Sequence, residues 1–280
     1  MQQYGTVAIV GVGLIGGSIG LALRQRGLSD EVVGIGRRAE SLDLARHAGA
    51  VTRTTVDLAE GVAQAELVVV CTPVEQIVPL VRAAAAGAPT ALITDAGSTK
   101  ARIVADLAAD VAGGLRFVGS HPLAGSEKRG PAEARGDLFE GRVTIVAPDE
   151  STRSDDVSAT IAFWTALGSR VLTMSPARHD EILAATSHVP HVIAAALAAA
   201  TPGGDLEFAA GGFRDTTRIA AGDAELWVQI LLDNREHVLT ALDRFERSAA
   251  RFRAAIERGD RAQLAQLLAE AKQQRDALGS

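Results

Sequence analysis

Histidine is the side chain that titrates nearest neutrality, and the sequence has six, at positions 47, 121, 179, 188, 191 and 237. His121 stands in Gly119-Ser120-His121-Pro122-Leu123-Ala124-Gly125, just past the strand-like pair Phe117-Val118. A neutral imidazole there, facing a cofactor cleft, can take a hydroxyl proton as hydride leaves the same carbon, and it predicts an essential unprotonated group titrating near an ordinary imidazole. Ser98, in Asp95-Ala96-Gly97-Ser98-Thr99-Lys100, could donate to a substrate or orient that base; capping a helix that begins near Ala101 is its plainer role. His188 and His191, three apart, share a helix face provided that Pro190 leaves the turn intact. No third ligand accompanies them at metal spacing, so the reading is anion contact or orientation and no metal site. Arg214 and Arg218, four apart with Asp215 between them, could build a carboxylate receptor; a surface ion pair is the alternative.

A second constellation is made of glycine. Gly11-Val12-Gly13-Leu14-Ile15-Gly16 follows the run Thr6-Val7-Ala8-Ile9-Val10 and opens a helix, the placement in which this spacing binds a dinucleotide. Gly11 permits the tight turn, Gly13 lets the backbone approach a pyrophosphate, Gly16 lets helix and strand pack, and the helix start at Leu14 and Ile15 offers free N–H groups. Thr72 and Pro73, ending a neighbouring strand, could pack beside the same ligand; an ordinary strand-ending turn is the alternative. NAD-binding versions end the second strand in Asp or Glu, whereas this chain reads Gly34-Ile35-Gly36-Arg37-Arg38. Two guanidinium groups in place of an acid suit a 2′-phosphate, so NADP is favoured over NAD; solvated loop charges are the alternative.

Such residues need elements to carry them. Short β-branched runs at 6–10, 32–35, 67–70, 91–94, 117–118, 143–146 and 171–172 alternate with helix-compatible stretches, which predicts an α/β fold with a mainly parallel Rossmann-type sheet over residues 1–174. Ligands in such sheets bind beyond the strand carboxyl ends, where the motifs above all fall. From 175 to 280 the chain reads as all-helical, with long runs at 182–200 and 226–251. Leu239, Leu242, Phe245, Ala249, Phe252 and Ile256 form one apolar stripe at spacings of three and four, which a small unit would cover with a second copy, so a homodimer is expected. The formal charge of −6 and the scattered arginines argue against nucleic acid. A single cysteine, Cys71, fits a reducing cytoplasm, and no stretch reads as the roughly 18 to 20 uncharged apolar residues of a membrane span.

Taken together, Gly11–Gly16, Asp95–Lys100, His121–Gly125, Ser187-His188-Val189-Pro190-His191 and Phe213-Arg214-Asp215-Thr216-Thr217-Arg218-Ile219-Ala220, with Trp227 beyond, resemble the prephenate/arogenate dehydrogenase family over essentially the whole chain. The resemblance implies a Rossmann domain followed by a helical dimerisation domain, and oxidative decarboxylation of prephenate or arogenate on the route to tyrosine. It implies His121 as catalytic base, Ser98 as its hydrogen-bonding partner, and His188, His191, Arg218 and Trp227 as substrate-pocket residues. Gly36-Arg37-Arg38 departs toward the NADP-using members. Arogenate or dual-substrate cyclohexadienyl activity is the nearest alternative, and a 3-hydroxyacid dehydrogenase or imine reductase the more distant one.

Overall fold

The computed structural model describes residues 3–125 and 130–278. Its strands are β1 (Tyr4–Val10), β2 (Ser29–Ile35), β3 (Arg53–Thr55), β4 (Leu67–Val70), β5 (Leu92–Asp95), β6 (Phe117–Pro122), β7 (Val143–Ala147) and β8 (Arg170–Thr173). Helices α1 (Leu14–Gln25), α2 (Ala39–His47), α3 (Leu58–Val62), α4 (Val74–Gly87), α5 (Ala101–Ala112) and α6 (Ser154–Ala166) cover them. One sheet results, in the order β3-β2-β1-β4-β5-β6-β7-β8, with β1 to β6 parallel and β7 antiparallel to β6.

The alternation of side chains along a strand decides the layers. Val7, Ile9, Leu67 and Val69 face α1 and α6, packing with Ile19, Leu23, Phe163 and Trp164. Ala8, Val10, Val68 and Val70 point the other way, onto Ile77 and Val81 of α4 and Ile103 and Leu107 of α5. Burial on both faces is why these strands are continuous runs of apolar residues, and each such side chain contributes about 1.5 to 3 kcal/mol. Strand order runs outward in both directions from β1 and β4, which opens a crevice at their carboxyl ends.

Two strands differ from the sequence reading. β3 was not expected, because Arg53-Thr54-Thr55 carries no apolar signal and is ordered by pairing with β2. β6 is longer than Phe117-Val118: antiparallel β7 pairs His121 with Ile145 and Pro122 with Thr144. His121 therefore sits within the strand, on a backbone held by its neighbour, and not in the loop beyond it.

The remaining helices are α7 (Pro176–Leu183), α8 (Val189–Ala200), α9 (Gly211–Thr217), α10 (Ala224–Asp233), α11 (Arg235–Glu257) and α12 (Arg261–Asp276). A wide turn with i to i+5 bonding, Ala184–His188, joins α7 to α8 without a break, and Pro190 follows it directly, removing one backbone donor inside the continuous helix. Pro176–Ala200 is continuous helix whose most apolar 18-residue window has a mean hydropathy of 1.6, enough by length and composition to cross a membrane, a test that a helix packed inside a fold also passes. It carries Arg178, Asp180, Glu181 and three histidines, so it is not the uncharged apolar run of a membrane span. The run 226–251 is broken at Asn234, buried between α10 and α11. The core of this unit is small, formed by Ala184, Val189, Val238 and Ala241.

Candidate active site

A cleft of about 1270 Å³ runs along the carboxyl ends of β1, β4, β5 and β6 and on to α10. At its first end lies the β1–α1 turn. Gly11 adopts φ +96°, and a Cβ there would lie 2.6 Å from the Cys71 carbonyl oxygen, so the turn requires glycine. A Cβ on Gly16 would lie 2.1 Å from the Gly11 carbonyl oxygen, which places this glycine behind the wall as the close contact of helix and strand. A Cβ on Gly13 meets nothing within 4 Å: the space over the helix N-terminus is open on that side, as a pyrophosphate needs. Leu14 and Ile15 of the first helical turn border the cleft, with Thr72 and Pro73 opposite. Thr72 Oγ1 is buried without a partner, a hydroxyl available to a ligand. These residues fit a dinucleotide. Arg37 and Arg38 edge the same end, both exposed and neither ion-paired to a described residue.

The middle of the cleft carries His121 and Ser98. His121 Nδ1 lies 2.9 Å from His179 Nε2, and His179 Nδ1 lies 2.7 Å from Asp180 Oδ1. His179 and Asp180, on α7, are buried. The Asp180 carboxylate also accepts the backbone N–H of Lys100 and of Ala101, each at 2.8 Å. The cap of α5 is therefore a side chain from α7, and Ser98 is left out of that role. Beneath the loop, Lys100 and Asp95 form a fully buried ion pair, with Asp95 also accepting from the N–H of Gly97 and Ser120. Burial first, then His179, Lys100 and His188, hold the His121 imidazole well below its usual range, so its resting form is neutral.

At the far end stand His188, Arg218 and Trp227. Asn234 Nδ2 donates to the Asp180 carbonyl at 2.8 Å and to His188 Nδ1 at 3.1 Å. Burial, with His179 and His191 nearby and Asp180 opposing, pushes His188 down to about 4. His191 is not on the wall. Its ring stacks on Trp227 at 3.6 Å between centroids and 13° between planes, so it supports the aromatic from behind. That stack depends on Gly222, where a Cβ would lie 2.6 Å from Trp227 Nε1. Arg218 reaches the cleft from the turn after α9, whereas Arg214 turns back to the Ala209 carbonyl. Asp223 and Glu225 also border this end, and Asp223 caps α10 through the N–H of Glu225.

Most of the residues singled out in the sequence thus converge on one cleft; Gly16 and His191 stand just behind its wall, and Arg214 faces away from it, so the expected pair of arginines is reduced to Arg218. Sequence reasoning missed His179, Asp180, Lys100 and Asn234. A histidine followed at once by an aspartate, next to the helix-starting Ser175-Pro176, was the available signal for the first two. Among the described residues no group of three or more His, Cys, Asp or Glu is arranged to hold a metal ion.

Two family models match the chain: prephenate dehydrogenase, nucleotide-binding domain, over residues 19–173, and prephenate dehydrogenase, dimerization domain, over residues 175–270. A prephenate dehydrogenase of Bacillus subtilis is 35% identical over 99% of this chain and 77% of its own length. A cyclohexadienyl dehydrogenase of Zymomonas mobilis is 34% identical over 99% of this chain and 97% of its own. Among solved structures, prephenate dehydrogenase from A. aeolicus in complex with hydroxyphenyl propionate and NAD+ superposes with a TM-score of 0.91, at 33% identity, over 99% of this chain and 98% of that one.

Proposed function

The chain belongs to the prephenate dehydrogenase family, and on that premise we infer that it oxidatively decarboxylates prephenate to 4-hydroxyphenylpyruvate with reduction of a nicotinamide dinucleotide. The observation that carries the reading is the single cleft in which a dinucleotide turn, a neutral buried-side imidazole and an arginine follow one another.

A nicotinamide dinucleotide held through its pyrophosphate by the β1–α1 turn would supply the hydride acceptor. His121 takes the proton of the ring hydroxyl, and Ser98 beside it offers a hydrogen bond to the same oxygen. Loss of the ring carboxylate as carbon dioxide completes aromatisation, so the chain need supply only a base, orientation and a cation. Arg218 pairs with a substrate carboxylate, neutral His188 donates to another oxygen, and Trp227, backed by His191, packs against the ring end of the substrate. Arg37 and Arg38 clamp a 2′-phosphate, which makes NADP the preferred cofactor.

Glu225 favours a second reading, acceptance of arogenate, whose side chain carries an ammonium. It is exposed, where such a pair contributes about 0 to 1 kcal/mol, so prephenate remains the main substrate. We divide the chain at Met174 into a dinucleotide-binding unit and a helical unit, and assign the latter to homodimerisation in the cytoplasm. The assay is absorbance of the reduced nicotinamide with each of four pairs: NADP or NAD, with prephenate or arogenate. NADP with prephenate is expected to give the highest kcat/KM; no reduction with any pair would reject the reading.

A further inference from the structure

Behind the proposed base lies a chain of buried groups that proton abstraction alone does not require. His179 is fully buried, does not itself line the cleft, and lies between His121 and Asp180. Its two bonds fix where the protons are. Burial works to raise the Asp180 carboxyl, but the His179 bond and the α5 backbone N–H groups outweigh it and hold it below the usual carboxylate range. Asp180 is thus ionised and can only accept, so His179 Nδ1 carries a hydrogen. Burial, with Lys100 adding to it and the Asp180 bond opposing, lowers His179 and keeps it neutral. Its Nε2 is therefore a lone pair, and the 2.9 Å contact to His121 is made only if His121 Nδ1 is the donor. In a neutral His121 that leaves Nε2 unprotonated.

We propose that His179 is a positioning residue which, anchored by Asp180, locks His121 in the Nδ1–H tautomer and so reserves Nε2 as the basic atom. The inference rests on the reading of His121 as base. When Nε2 takes the hydroxyl proton, the positive charge that forms on His121 is balanced through His179 by the Asp180 carboxylate, against the nearby Lys100 ammonium. Three elements hold the arrangement: β6 carries His121, α7 carries His179 and Asp180, and the start of α5 clamps Asp180 by two N–H groups. The Asn234 side chain grips the Asp180 carbonyl from the fourth side. His188 is set in the opposite sense. Asn234 Nδ2 is oriented by that carbonyl, so it donates to His188 Nδ1 and His188 carries its hydrogen on Nε2.

The test uses the full chain. In the wild type labelled with ¹⁵N-histidine, long-range ¹H–¹⁵N correlations at neutral pH should show His121 and His179 as Nδ1–H and His188 as Nε2–H; an Nε2–H signal for His121 overturns the proposal. His179→Leu, which removes the acceptor, should lower kcat about 10 to 100-fold while KM for prephenate stays within about twofold. His179→Gln, whose carbonyl accepts from His121 and whose amide donates to Asp180, should recover kcat to within about threefold of wild type. A His179→Leu variant as fast as wild type, or a His179→Gln variant as slow as His179→Leu, rejects the positioning role. Were His121→Asn also fully active, the base itself would be wrong, a separate failure.

Discussion

Asn234 Nδ2 lies 3.1 Å from His188 Nδ1, and this contact decides which ring nitrogen of His188 offers a hydrogen to the cleft. Asn234 also closes the break between α10 and α11, so the interruption of the helix and the orientation of the imidazole have the same cause. Asn234→Leu keeps the volume and removes both donated bonds. It should raise KM for prephenate more than it lowers kcat, and lower stability by about 1 to 3 kcal/mol through the buried His188 Nδ1 left without its donor, read as a loss of Tm. Unchanged KM would show that His188 does not meet the substrate.

His121→Asn should lower kcat by about two to four orders of magnitude, with a much smaller change in the Kd of the nicotinamide cofactor. Turnover and equilibrium dialysis of the variant measure the two quantities separately; turnover within about tenfold of wild type removes His121 from the role of base.

The pH profile follows from the direction of the shift. A base acts unprotonated, and burial with the His179, Lys100 and His188 neighbours lowers the His121 pKa well below 6.5. The neutral form therefore persists into acid, and the acidic limb of kcat/KM should fall well below pH 6.5, not at the ordinary imidazole value that the sequence suggested. His188, pushed down to about 4, stays a neutral donor through the same range. A limb at or above the ordinary imidazole value would contradict the burial argument.

Gly36→Asp should shift cofactor preference from NADP toward NAD, because a carboxylate repels a 2′-phosphate and accepts from free ribose hydroxyls. The new Cβ would stand 3.2 Å from Leu42 Cδ2, the movable end of a side chain, so the substitution is tolerable. Ratios of kcat/KM for the two cofactors in wild type and variant give the answer, and a wild type that already prefers NAD refutes the role given to Arg37 and Arg38.

Leu239 and Ile256 of the α11 stripe are 50% and 65% exposed in a single chain, and Phe208 before α9 is 77% exposed. An apolar surface of that extent beside so small a core is an association surface. Sedimentation at micromolar concentration should show a dimer, and Leu239→Glu should displace it toward monomer; monomer alone in the wild type would rule out the homodimer.

What could be read in the sequence was whatever depends on neighbours along the chain. The runs at Thr6–Val10 and Leu67–Val70 are strands because both of their faces are buried, and the Gly11–Gly16 spacing reports its own backbone demands. Contacts between distant residues left no such trace. The extension of β6 through His121 comes from pairing with β7, the cap of α5 from Asp180 eighty positions beyond Lys100, and the partner of His121 from a histidine 58 residues away. Ser98 was the local candidate for both the cap and the partner, and longer-range groups hold both places.

The cap on α5 bears on how portable these two halves are. A helical unit exchanged with that of a relative must bring an acid to position 180, or the transplanted protein starts α5 with two bare N–H groups and leaves His179 without its anchor. Recombination of the halves is thus constrained at one side chain that neither half, considered alone, would mark as indispensable.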